Sequence, residues 1–416
     1  MSTLFVFYFK LLLVIVSSIV VWLGASSDSF WKKLEEDKKG VTVIGIGLLV
    51  CRILPFIAVY LVLNQTPRGD VPFFWGKATV AYKWGLVYRD FASYHAPLFS
   101  YIITLPLLLW YSSKAIVLLM VLIEGAIVWG TYRTYRTIKT NALQSVALYL
   151  VLSGPLIMVL LGGQEDVWLW GVAVWMLYYF QRTKDDGLGL GTRFSVGLLA
   201  IKATFGFWLF PLWFLLKKRW MFLLGMIAVG VPSLILLYAV MGLDFLMPLQ
   251  MTANLLTPNL FTVFRPLITA ISGHGPDLAF FSWAGLALTL SVATWITYQA
   301  RNKSLSQGLP LAFLATYVAM TIFQSSSVGY YAFTFMLPLI LELVDWKSRR
   351  DVVILLFFNA LLVVQPFLFT YLGNPTYDDI SVITNLLFLL EYILQILNVA
   401  CFGWYLLKVY QKATTY

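Results

Sequence analysis

Few residues in this sequence are equipped for chemistry, and they stand out because their surroundings are apolar. Asp70, in Gln65-Thr66-Pro67-Arg68-Gly69-Asp70-Val71-Pro72-Phe73-Phe74, puts a carboxylate near the cation Arg68 just beyond an apolar stretch. It has two readings: a solvated loop residue, or a general base whose proton affinity is tuned by low dielectric and neighbouring cations. Glu165 and Asp166 follow an amide in Leu161-Gly162-Gly163-Gln164-Glu165-Asp166. They can cap the helix that starts there, or clamp sugar hydroxyls, because carboxylates accept hydrogen bonds and amides both accept and donate. Lys202 is the only charge within 194–216. An isolated ammonium in an apolar run is costly unless paired, and by default marks a functional site. A lipid phosphate is its natural counter-charge; snorkelling to the headgroups is the plainer alternative. His95, in Tyr94-His95-Ala96-Pro97-Leu98-Phe99, and His274 are the two histidines. Neither has clustered carboxylates at ligand spacing, so no metal site is expected. Each is a polar contact to sugar or phosphate, or an inert loop position. Glu124 is a second charge inside an apolar run, and spacing names no partner for it.

Membrane helices must position these residues. Of the 416 residues 60% are of hydrophobic types and 12% charged, against about 25% charged in a soluble domain; mean hydropathy is +0.83. A soluble globular enzyme is excluded, and the fold class is all-α, a polytopic transmembrane helical protein. Spans need ~20 apolar residues. Candidates are 3–24, 41–63, 114–132, 143–161, 167–181, 192–202 continuing as 203–216, 220–241, 279–298, 309–324, 330–346, 351–371 and 381–409. With 192–216 taken as a broken hairpin turning at Lys202, these make thirteen crossings. The first segment ends in Gly24-Ala25-Ser26-Ser27, which has the small-residue character of a signal cleavage site; it reads as an uncleaved helix. The charged stretch 28–40 reads as a loop. Residues 64–113 read as interfacial helices, and 242–278 is a second long loop segment, with Asn254, Thr257, Asn259, Arg265 and His274. Cys51 and Cys401 lie in apolar runs, so neither a disulfide framework nor a cysteine metal site is expected.

Lysine and arginine fix the orientation, because cytoplasmic loops collect positive charge. Clusters at 32–39, 133–139, 182–193, 217–219, 301–303, 347–350 and 408–412 fall in alternate connections between the spans, all on one face. The net charge of +10 then reports topology, and no nucleic-acid partner is expected. The N-terminus is placed outside and the C-terminus inside. On that assignment Asp70, His95, Glu165, Asp166, Lys202, His274, Gln324-Ser325-Ser326-Ser327 and Tyr330-Tyr331 all gather at the outer face. The tyrosines there also fit an aromatic belt.

The membrane-edge acid in Gly69-Asp70-Val71-Pro72-Phe73-Phe74, the Tyr94-to-Phe99 element, the acidic loop Gly163-Gln164-Glu165-Asp166 and the lysine-ended Gly197-Leu198-Leu199-Ala200-Ile201-Lys202 resemble the GT-C superfamily of integral-membrane glycosyltransferases. The Gly-Gln element, the lysine hairpin and Asn259-Leu260-Phe261 through Arg265 look most like polyprenol-phosphate-mannose-dependent mannosyltransferases. The resemblance implies a GT-C-like fold. It divides the chain into an extra N-terminal helix and cytoplasmic linker (1–40), a catalytic core (41–350) and C-terminal transmembrane helices (351–416). It also implies transfer of a sugar, most readily mannose, from a polyprenyl-phosphate-linked donor to a lipid or glycan acceptor by inverting displacement. Asp70 would be the base, with Lys202, Arg265 and Arg68 against the donor phosphate. Gln164, Glu165, Asp166, His95, His274, Tyr94 and Asp90 would orient sugar or acceptor. No metal and no other cofactor is required. The protein would sit in a bacterial plasma membrane or an ER-type membrane, its site extracytoplasmic and its other partners membrane lipids. A flippase for lipid-linked saccharides would also use intramembrane charge, but it should show inverted repeats, and none is evident. An envelope saccharide ligase or polymerase would differ in its lipid-linked oligosaccharide donor.

Overall fold

The computed structural model describes residues 3–249, 255–273, 277–378 and 384–415; Asn254 and His274 lie outside them. The chain is 77% helical, without a strand among the described residues. In order, α1 (Thr3–Ala25), α2 (Asp28–Glu36) and α3 (Gly40–Val62) precede α4 (Val71–Tyr82), α5 (Ser113–Tyr135) and the pair α6 (Ala142–Val151) and α7 (Ser153–Leu160). Next come α8 (Val167–Thr183), α9 (Leu188–Ala200), α10 (Ala203–Trp213) and α11 (Arg219–Met241). The rest are α12 (Leu260–Ser272), α13 (Leu278–Gln299), α14 (Leu305–Phe323), α15 (Met336–Leu343), α16 (Arg349–Tyr371) and α17 (Leu386–Thr414). Among the described residues, eight helices are long and apolar enough to cross a membrane, and the bent pair α6–α7 makes up to nine. This is an all-α, multi-pass membrane protein. The other segments expected to span, α8 to α10 and α15, are helical but shorter.

The core sits around α14, whose side chains are buried along nearly its whole length. Phe313 on α14 meets Trp170 of α8 at 5.2 Å and Trp208 of α10 at 5.3 Å, ring centroid to centroid, edge-on contacts suited to the ring quadrupole. Helix α1 packs on α16 and α6, with Phe7 stacked on Phe367.

Two clusters of polar groups inside the bundle satisfy one another, as a medium without water favours. Helices α6 and α7 meet at 59°. There Asn359 of α16 accepts from the Gly154 amide at 2.8 Å and donates to Ser153 Oγ at 2.9 Å, covering groups the bend exposes. Glu124 finds its partner in Arg52 of α3. Nε and Nη2 of the guanidinium donate to its two carboxylate oxygens at 2.6 and 2.8 Å, and Tyr149 adds a bond at 2.9 Å. Arg52 Nη1 also donates to the Leu150 carbonyl at 3.0 Å. Pro55 has no amide to donate, and α3 widens into π turns on either side of it, at 49–53 and 57–62.

The stretch 28–40 corrects the sequence reading: it holds a helix, α2, where a loop was expected. Its charges fall on helical spacing, with Lys32 3.3 Å from Asp28 one turn earlier. Trp31 Nε1 donates to the Gly24 carbonyl at 2.8 Å, folding α2 back on the end of α1. Charge density alone hid that periodicity. At the same end of the bundle, Glu342 accepts from Lys139 at 2.7 Å and Lys412 at 2.6 Å, and Lys408 pairs with Asp351. Some of the basic residues that suggested orientation thus also tie helix ends together.

Candidate active site

Two glycines dock the loop before α4 onto the loop before α8. Gly69 and Gly163 have φ of +63° and +64°, a region L side chains rarely enter. A Cβ on Gly69 would lie 2.4 Å from the Gly162 carbonyl oxygen, and one on Gly163 would lie 2.2 Å from Val71 Cγ2. That contact lets the Asp70 amide donate to Gly162 O at 3.0 Å. Pro72 follows in the first turn of α4, where a missing amide costs nothing.

Asp70 occupies the N-cap position of α4, yet its carboxylate does not cap. It reaches across to accept from Gln164 Nε2 at 2.9 Å. Asp166, at the N-cap of α8, likewise caps nothing and accepts from Lys202 Nζ at 2.7 Å. Neither carboxylate caps its helix, and Asp70 is half-buried and Asp166 buried.

Lys202 stands in extended backbone between α9 and α10, at the break the sequence predicted. Its ammonium lies 2.5 Å from Glu165 Oε1 and 2.7 Å from Asp166 Oδ1, so it is paired and does not snorkel. The 94–98 segment is held to the end of α9 by Ala96 N to Ile201 O and Leu98 N to Leu199 O, both 3.0 Å. This brings His95 Nε2 to 2.9 Å from Glu165 Oε1, with the imidazole stacked on Phe99 at 4.1 Å. His95 Nδ1 is 3.3 Å from Lys77 Nζ. An ammonium can only donate, so Nδ1 accepts, Nε2 carries the proton, and Glu165 receives it. The polar chain therefore runs Lys77 to His95 to Glu165, which Lys202 joins to Asp166.

The electrostatics follow from burial and these partners. Burial pushes the Asp70 carboxyl up, and Glu165 adds to the shift against the opposing Gln164, Lys202 and Lys77. Burial alone would raise Glu165, but Lys202 and His95 outweigh it and hold it below the usual carboxylate range. Asp166 is pushed up by burial and by Glu165 beside it, against Lys202. Burial brings His95 down to about 4 and Lys77 down to about 8. At neutral pH the imidazole is thus uncharged. Gln164 Oε1, Glu165 Oε2 and Asp166 Oδ2 are buried with no hydrogen-bond partner among the described residues, leaving acceptors for a hydroxyl-bearing molecule. Tyr331 places its ring 5.2 Å from Lys202 Nζ.

Asp70, Gln164, Glu165, Asp166, His95 and Lys202 are brought together. Tyr94 stands beside them, stacked on Phe73 at 6.2 Å. Arg265 is not in the cluster: on α12, its guanidinium is paired with Asp378. Asp90 closes its own loop, accepting from the Leu86 amide at 2.7 Å and pairing with Arg89 at 3.0 Å. Arg68 is exposed, with no ion pair among the described residues. Lys77 went unrecognised as a site residue in the sequence, although its place seven residues after Asp70, with Phe74 between, is one face of one helix. Comparison of the chain with protein-family models, with curated proteins and with solved structures finds no match.

Proposed function

We propose that the protein is an integral-membrane glycosyltransferase of the GT-C type, with the thirteen-crossing topology and the site on the extracytoplasmic face. It would transfer a sugar, mannose in the first instance, from a polyprenyl-phosphate donor to a hydroxyl of a lipid or glycan acceptor. The observation that carries this reading is Asp70: a half-buried, non-capping carboxylate beside buried acids with unpartnered oxygens and two lysines. Such a group can accept a proton while the neighbouring acceptors hold sugar hydroxyls.

In the proposed step the acceptor oxygen attacks the anomeric carbon from the face opposite the phosphate. A carbon–oxygen bond forms as the bond to the phosphate oxygen breaks, with inversion. The acceptor proton passes to Asp70, and polyprenyl phosphate leaves as an anion stabilised by a nearby cation. Glu165, held ionised, and neutral His95 orient the sugar. Lys202 fixes both acids so that they do not turn toward the membrane.

The test is transfer of radiolabelled sugar from synthetic polyprenyl-phosphate-mannose to a membrane lipid extract, with purified protein and its Asp70→Asn variant. Transfer by the wild type that falls by about 10²–10⁴-fold in the variant is expected for loss of a general base. Equal transfer by both proteins overturns the assignment of the base. Absence of transfer from a full panel of polyprenyl-phosphate sugars overturns the enzyme reading.

A further inference from the structure

Resting on the glycosyltransferase reading, we propose that Lys77, rather than Lys202, is the cation that receives the donor's phosphate. Lys202 is already committed. Two of its three N–H groups point at Glu165 and Asp166 at 2.5 and 2.7 Å. Where both acids are ionised, the trio carries one net negative charge, and a phosphate brought to it meets repulsion. Arg265 is spent on Asp378.

Lys77 is differently placed. Among the described residues no carboxylate lies within ion-pair distance of it; its one polar contact is His95 Nδ1 at 3.3 Å. The residue is 3% exposed, so its charge is held mainly by aromatic faces, with Nζ 3.8 Å from the centroid of Phe73 and 5.9 Å from that of Tyr94. An ammonium donates three hydrogen bonds, and His95 takes one. The remaining donors, on an ammonium with no ion-paired carboxylate among the described residues, suit a phosphate oxygen.

Position agrees with chemistry. Lys77 lies two helical turns after Asp70 on the same face of α4, a rise of about 10.5 Å between their Cα atoms. Helical side chains lean toward the helix N-terminus, so the long lysine stem returns its ammonium toward Asp70. Base and phosphate cation then flank the space in which a sugar would bridge them. Phe73 and Tyr94, each well exposed, offer an apolar wall beside the ammonium where the first isoprene units can lie.

The experiment measures binding of decaprenyl monophosphate to the detergent-solubilised full chain, with decaprenol and inorganic phosphate as separate arms. Wild type is compared with Lys77→Met, Lys77→Arg and Lys202→Met. Loss of one charge-assisted hydrogen bond to phosphate is expected to weaken decaprenyl monophosphate binding in Lys77→Met by about ten- to a hundredfold. Decaprenol binding should be unchanged, and Lys77→Arg should stay within a few-fold of wild type. Inorganic phosphate competing as well as the lipid would show that the site reads phosphate without the chain, and would overturn the apolar-wall part. If Lys77→Met fails to fold, Lys77→Gln keeps a donor to His95 while removing the charge, and serves in its place. Unchanged lipid-phosphate binding in these variants, with sugar transfer by the wild type intact, overturns the role of Lys77 and leaves the enzyme reading standing. A wild type that neither binds decaprenyl monophosphate nor transfers sugar overturns both.

Discussion

His95 shows how much a single side chain can reveal about its neighbours. Its buried imidazole, with one nitrogen accepting from Lys77 and the other donating to Glu165, titrates at about 4 in the folded chain, against about 6.5 in an unfolded one. A folded-state value below the unfolded one means that the unfolded chain takes up a proton first as pH falls. The stability it contributes is present above about pH 6.5 and is lost progressively down to about pH 4. Thermal unfolding in detergent should therefore show a steeper acid-side decline for wild type than for His95→Gln, and equal slopes would refute the neutral, buried imidazole. Asp70 gives the matching activity prediction. Its carboxyl is raised, so transfer should fall with acid at a pH above the ordinary carboxylate range, because the protonated form cannot accept the acceptor's proton. A pH–rate profile whose acid limb lies at or below about 4 would contradict it. At this scale the sequence was informative where a charge interrupted an apolar run: Asp70, Glu165, Asp166 and Lys202 all converge. Arg265 and Asp90, expected against donor and acceptor, are paired elsewhere: Asp378 lies 113 residues from Arg265, out of reach of any local pattern, and Arg89 is the immediate neighbour of Asp90.

Among the elements, close backbone approach carries the site. The loops before α4 and α8 touch through Gly69 and Gly163, and neither glycine tolerates a Cβ without displacing backbone or Val71. Gly163→Ala is expected to cut transfer at least tenfold by separating Asp70 from Gln164, with a smaller effect on unfolding, because the docking lies at the edge of the bundle. Activity within twofold of wild type would show that the two loops need not touch. The Arg52–Glu124 pair supplies the stability test. Removing one partner leaves a buried charge bare, so Arg52→Ala should destabilise by about 3–5 kcal/mol, and the double replacement Arg52→Met with Glu124→Leu should recover most of that loss. Unfolding midpoints of the single and double variants decide it. Helix existence was legible from apolar runs, and so was the break at Lys202. The helix α2 was not, because nine residues with five charges register as polar before they register as periodic. Lys77 was missed for the opposite reason: in Trp75-Gly76-Lys77-Ala78 it looks like an ordinary interfacial cation until the helix face is drawn.

For the whole molecule, the proposed orientation makes a prediction that needs no substrate. Trp84, 92% exposed in the loop after α4, belongs to the end that carries Asp70, and exposed Arg301, between α13 and α14, to the end rich in lysine and arginine. A membrane-impermeant maleimide should label Trp84→Cys in intact cells and Arg301→Cys only after permeabilisation. Native Cys51 is half-buried and Cys401 buried, which keeps the background low. The reverse pattern would invert the topology and move the site to the cytoplasm. Nearly all of α14 is enclosed by its neighbours, so the elements that carry the site are attached to a core of tightly packed rings.

The Arg52–Glu124 bridge also bears on how the chain is made. The two residues are 72 apart in sequence, so a ribosome delivers the arginine to the bilayer well before its carboxylate exists. An unpaired arginine at the centre of a helix resists insertion by about 2.5–3.5 kcal/mol. Helix α3 carries that cost from its own synthesis until α5 brings Glu124, and its many Leu, Ile, Val and Phe residues, at a mean hydropathy of 2.3, offset it in the meantime.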